Sequence, residues 1–113
     1  MAYNEKLAAR IRQALAHLPG VEEKKMFGGI AFMVNGKMCL TAGEGRMMCR
    51  IDPALHEEAV GRRGSTVIMG GRKYKGYVHV SEELIRPASA FKYWLALALD
   101  FNSRAGSSRK KQP

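Results

Sequence analysis

Three histidines, two cysteines and 19 lysines and arginines are the side chains of this chain best suited to chemistry. Their spacing decides how much of it they can do. His17, His56 and His79 fall on separate segments with no second ligand at metal-binding distance in sequence. Cys39, Cys49 and His79 would form a three-ligand set only if unrelated strands brought them together. Ser65 and Ser81 stand in turn and cap contexts, where a hydroxyl serves the backbone. Glu57-Glu58 and Glu82-Glu83 are solvent-facing pairs without the enclosing pocket that a working carboxylate dyad needs. No catalytic, metal or cofactor residues are assigned on these grounds, and a small enzyme or ligand carrier would need a pocket the sequence does not announce.

The stretch "KKMFGGIAFMVNGKMC", residues 24–39, is the one candidate phosphate loop. A Walker-type loop needs Gly five positions before Gly36 and Ser or Thr after Lys37, and Ala31 and Met38 stand there instead. Asn35-Gly36 is a hairpin signal, because both residues tolerate the positive φ of a type I′ turn.

Charge gives a second kind of chemistry. The formal net charge is +9, of which Arg104, Arg109, Lys110 and Lys111 supply +4 in the acid-free tail "RAGSSRKKQP". That composition predicts a folded domain over residues 1–103 and a disordered basic tail over 104–113. Arg72, Lys73 and Lys75, with Tyr74 and Tyr77 interleaved, form the best nucleic-acid candidate, and Lys24 and Lys25 would extend it. Alternating lysines on a strand equally protect a sheet edge from pairing with another chain.

These side chains need elements to carry them. "NEKLAARIRQALAHLPG" reads as a helix capped by Asn4, with Leu7, Ala8, Ile11, Leu15 and Leu18 on one face. "EEKKMF" reads as a strand leading into Gly28-Gly29, and "GIAFMV", "KMCLTA" and "MMCRI" as a three-strand meander. A two-residue turn at Asn35-Gly36 sets Val34 against Lys37, Met33 against Met38, Phe32 against Cys39, Ala31 against Leu40 and Ile30 against Thr41. One sheet face then carries Ile30, Phe32 and Cys39 under helices. The other carries Ala31, Met33, Met38 and Leu40, and with Met48 it becomes the candidate partner-binding face: Met33, Met38, Leu40 and Met48. A three-residue loop at Gly43 to Gly45 would place Cys39 opposite Cys49, and a one-residue shift would make them diagonal neighbours.

Asp52-Pro53 opens a second helix, "STVIM" and "RKYKGYVHV" form a second hairpin, Ser81 caps a turn, and "ASAFKYWLALALDF" is a final helix after Pro87. The expectation is a two-layer α+β single domain with an antiparallel sheet, order α-β-β-β-α-β-β-α. At 113 residues one hydrophobic core suffices without metal or disulfides. No apolar run is long enough to span a bilayer, and the two cysteines sit in apolar surroundings that suit free thiols, so a cytoplasmic location is expected.

"VEEKKMFGGIAFMVNGKMC", "YKGYVHV" and "YWLALALDFN", in that order, resemble the N-terminal domain of the TfoX/Sxy competence-regulator family over roughly Asn4 to Arg104. The resemblance implies a secretion-chaperone-like α+β fold. It also implies a regulatory role in competence alongside transcription machinery such as the cAMP receptor protein. Full-length family members add a C-terminal helical domain, which this chain is expected to lack. The functional expectation is a non-enzymatic protein-interaction domain, with a homodimer as one form of partner. Direct nucleic-acid binding is the alternative.

Overall fold

In the computed structural model, residues 5–26, 28–69 and 71–104 are described. The Asn4 cap and, apart from Arg104, the tail lie outside them. The elements run α1 (Glu5–Ala14), β1 (Val21–Met26), β2 (Gly29–Val34), β3 (Lys37–Ala42) and β4 (Arg46–Arg50). A 3-10 turn (Pro53–Leu55), α2 (His56–Gly61), β5 (Ser65–Met69), β6 (Arg72–Ser81) and α3 (Ala88–Asn102) follow. The strands form one six-stranded antiparallel sheet in the order β1-β2-β3-β4-β6-β5. The α+β class is as expected, and the leading strand "EEKKMF" joins the meander as its outer edge.

Local chemistry sets several boundaries. Asn35 and Gly36 have φ of 54° and 78°, the conformation of a type I′ turn. The Asp52 carboxylate accepts the Ala54 amide at 2.9 Å and stands ahead of Pro53, which has no N–H to satisfy. That amide and then Arg104, at 2.9 Å, hold the Asp52 carboxyl below its usual range. Ser81 Oγ accepts the Leu84 amide at 3.2 Å, as its cap position predicts. Gly29 has no room for a side chain, because a Cβ there would sit 2.1 Å from the Ala42 carbonyl oxygen.

The helices cover one sheet face. Leu7, Ala8 and Ile11 of α1, with Leu15 just beyond its end, meet Ile30, Phe32, Leu40, Met47, Cys49, Val78 and Val80 of the sheet, together with Phe91, Trp94 and Ala98 of α3. Arg10 ties α1 to the segment before α3: its guanidinium donates to the Ile85 carbonyl and lies 3.9 Å above the Phe91 ring. At the far end of α3, buried Asn102 reaches the Val34 and Lys37 carbonyls at 3.4 and 3.5 Å, and so spans the first hairpin.

Two register shifts separate the structure from an ideal alternation. Between Phe32 and Met33 the β2–β3 ladder slips by one residue, so Phe32 pairs with Leu40, Ala31 with Thr41 and Ile30 with Ala42. Only the pairings next to the turn, Met33–Met38 and Val34–Lys37, match the two-residue-hairpin register. Leu40 therefore joins the helix-side core, fully buried, and leaves the methionine face: a correction to its place among the partner-binding candidates. Leu40 also takes the position opposite Cys49, which makes Cys39 and Cys49 diagonal neighbours. Both thiols are free.

The second shift lies between Thr66 and Val67 in the β5–β6 ladder. Val78 pairs with Thr66 and Tyr74 with Val67, which leaves residues 75–77 of β6 without partners on β5. Gly76, at φ 90°, sits in this irregularity.

Candidate functional site

The helix-free face carries a second apolar cluster. Ala31, Met33, Met38, Met48 and Val67 form it, and Tyr74 and Tyr77 pack against it. Strand alternation places Met33, Met38 and Met48 on one face, as expected. They are only 5, 8 and 4% exposed. The β5–β6 hairpin contributes much of the cover, because its irregularity turns Tyr74 and Tyr77 to the same side, where their rings meet edge to face at 6.2 Å. The accessible surface of this face is therefore made by the tyrosines and the rim more than by the methionine side chains.

The basic candidates do not form one patch. Lys24 and Lys25 lie on β1, one edge of the sheet, with β2, β3 and β4 between them and β6. Lys24 is level with Ala31 on the helix-free face, and Lys25 is level with Ile30 on the helix side. Extension of the Arg72, Lys73 and Lys75 cluster by these two lysines is therefore corrected. On β6, Tyr74 faces the methionine cluster, so its strand neighbour Lys73 faces the opposite way. Arg72, Lys73 and Lys75 are exposed, and among the described residues none of them enters an ion pair. Tyr77, the aromatic candidate, is half-buried, with Arg50 5.8 Å from its ring.

The titratable residues separate likewise. Cys39 and Cys49 belong to the helix-side core, whereas His79 is level with Met48 on the other face, so the sheet keeps the three apart. Among the described residues no group of three His, Cys, Asp or Glu could hold a metal ion. Burial pushes the Cys39 thiol up to about 12 and raises Cys49 further. His56 is buried and fully engaged by Thr66 and Gly76.

One feature escaped the sequence. A cleft of about 390 Å³ opens at one end of the helix-free face, lined by Gly28, Thr41, Gly43, Glu44, Arg46, Met48 and His79. Burial first, and then the nearby Arg46 guanidinium, hold the His79 imidazole below its ordinary value. In the sequence "GEGR" reads only as a turn, and nothing marks Thr41 or Arg46, because β4 and β6 become neighbours only in the folded sheet.

The fold is thus a three-helix, six-stranded antiparallel α+β domain with its helices packed on one sheet face and a second apolar cluster on the other. A family model described as the TfoX N-terminal domain matches residues 13–102, and the chain belongs to that family. The family is not known for enzymatic activity. No curated protein and no solved structure shows a significant match. Among the described residues no helix is long and apolar enough to cross a membrane.

Proposed function

We propose that this chain is a non-enzymatic, cytoplasmic interaction domain of a TfoX-type regulatory system that docks an acidic protein surface against the exposed cations of the β5–β6 hairpin. The observation that carries this reading is the hairpin itself. It presents three exposed cations, Arg72, Lys73 and Lys75, with no ion pair among the described residues. The rings that would stack on bases, Tyr74 and Tyr77, are packed against each other and on the methionine cluster. Cations without free stacking platforms favour a protein over single-stranded nucleic acid. A second copy of the chain fits less well, since each copy carries a net charge of +9 and would repel the other. Family membership makes the transcription machinery of competence genes, including the cAMP receptor protein, the first partner class to test.

The test is a tagged pull-down from the native cell with and without nuclease. An acidic protein should be retained after nuclease treatment, released by salt, and lost when Arg72, Lys73 and Lys75 are all changed to Glu. Capture that vanishes with nuclease would overturn the reading in favour of direct nucleic-acid binding. Affinity should then fall steeply with salt as phosphate contacts release counterions.

A further inference from the structure

Polar side chains without partners converge at one place on this molecule. Backbone pairing puts Thr41 of β3, Met48 of β4 and His79 of β6 in one row across the helix-free face. At the ordinary spacing of strands, about 10 Å separates the Thr41 and His79 backbones, with Met48 as an apolar floor between them. Arg46 lies two residues along β4 from Met48 and so projects from the same face. All four line the cleft of about 390 Å³, and glycine backbone at Gly28 and Gly43 forms part of its wall.

Among the described residues, the Thr41 hydroxyl, the His79 imidazole and the Arg46 guanidinium make no hydrogen bond or ion pair. Among the described residues no buried side-chain polar atom is left without a partner, so the hydroxyl of the buried Thr41 opens onto the cleft. Glu44 stands on the same wall and does not pair with Arg46. The arginine charge is therefore not neutralised by the acid on the same wall.

We propose that this cleft is a binding site for the oxyanion group of a small molecule, a phosphate or a carboxylate, with Arg46 as counter-charge and the Thr41 hydroxyl and His79 ring N–H as directional donors. Arg46 supplies a planar fork suited to two oxygens of either group. Thr41 and His79 reach the ligand from opposite sides of the Met48 floor. Glu44 opposes the same negative charge and lowers affinity. This site is separate from the Arg72, Lys73 and Lys75 hairpin, so its failure and the failure of the docking proposal are distinguishable.

The experiment is a ¹H–¹⁵N NMR titration of the whole chain at constant ionic strength, with inorganic phosphate in one arm and acetate in the other. Saturable shifts should concentrate on the Thr41, Gly43, Arg46 and His79 amides, and the arm with the tighter binding identifies the group. Arg46→Gln should weaken binding about tenfold or more, the loss of a charge-assisted pair. Glu44→Gln should tighten it. Arg72→Gln, with the same change of net charge as Arg46→Gln, should leave affinity unchanged. Absence of saturable shifts in both arms, or equal weakening by Arg46→Gln and Arg72→Gln, would overturn the site. Should Arg46→Gln disturb the spectrum as a whole, Glu44→Gln decides: unchanged or weaker affinity there counts against the proposal.

Discussion

The backbone N–H of Gly76 donates to Nδ1 of His56 at 3.0 Å, and this fixes the state of a buried ring. With Nδ1 accepting, the proton sits on Nε2, which donates to Thr66 Oγ1 at 2.9 Å. One histidine thereby joins α2, β5 and the irregular part of β6. On the other side of the same residue, the Gly76 carbonyl accepts the Ile51 amide at 2.8 Å. The segment that turns Tyr74 and Tyr77 to the same face is thus held at both of its backbone polar groups.

Replacing His56 by Ala should cost about 2–3 kcal/mol, since it leaves the Gly76 N–H unsatisfied and a void behind. His56→Asn, whose side-chain oxygen can take the place of Nδ1, should recover part of that loss. Thermal unfolding of the two variants checks this. Equal Tm values would show that packing, not the Gly76 hydrogen bond, is what the ring contributes.

Gly36→Val should destabilise the chain by about 1–3 kcal/mol, because a β-branched residue resists positive φ. Space is not the obstacle there, as a Cβ at Gly36 would meet nothing within 4 Å. Gly36→Asn should therefore be much milder. Urea unfolding of both separates conformational strain from crowding.

Met38→Asp should lower stability by several kcal/mol, because it places a carboxylate in a cluster that the structure buries. This variant consequently reports on folding rather than on docking. Substitutions of the exposed Arg72, Lys73 and Lys75 are the ones that should alter binding and leave Tm nearly unchanged. A Met38→Asp protein with wild-type Tm would mean that the tyrosine cover opens readily.

Cys39 and Cys49 should react slowly with a thiol reagent at pH 8 in the native state. With its pKa near 12 against an ordinary 9.0, Cys39 holds roughly a thousandfold less thiolate than a free cysteine, and Cys49 still less. Denaturant should release two fast-reacting thiols. Rapid native labelling would contradict the burial of both.

The depressed pKa of His79 carries a definite sign. The unfolded chain takes up its proton near pH 6.5, whereas the folded chain does so only at lower pH. Stability should therefore be full above about pH 6.5, decline as the pH falls below that value, and level off beneath the folded pKa. His79→Gln should flatten this part of the Tm–pH curve. Bound phosphate should do the same, by favouring the protonated ring.

What the sequence determined by itself was local. The Asn35-Gly36 turn, the Asp52-Pro53 helix start, the Ser81 cap and the helix after Pro87 each rest on contacts within a few residues, so residue type alone marks them. The family resemblance was legible for a similar reason, since its motifs are contiguous. Tertiary structure decided which face each strand residue takes. A one-residue slip between Phe32 and Met33 moved Leu40 from the methionine face into the helix-side core, because side chains alternate with period 2. The irregularity around Gly76 brought Tyr74 and Tyr77 together over Met33, Met38 and Met48 and buried a face that the alternation alone leaves open. Placing β6 between β4 and β5 set His79 beside Met48 and thereby made the cleft. Register slips and strand order depend on contacts between residues far apart in the chain, and no local pattern of residues records them.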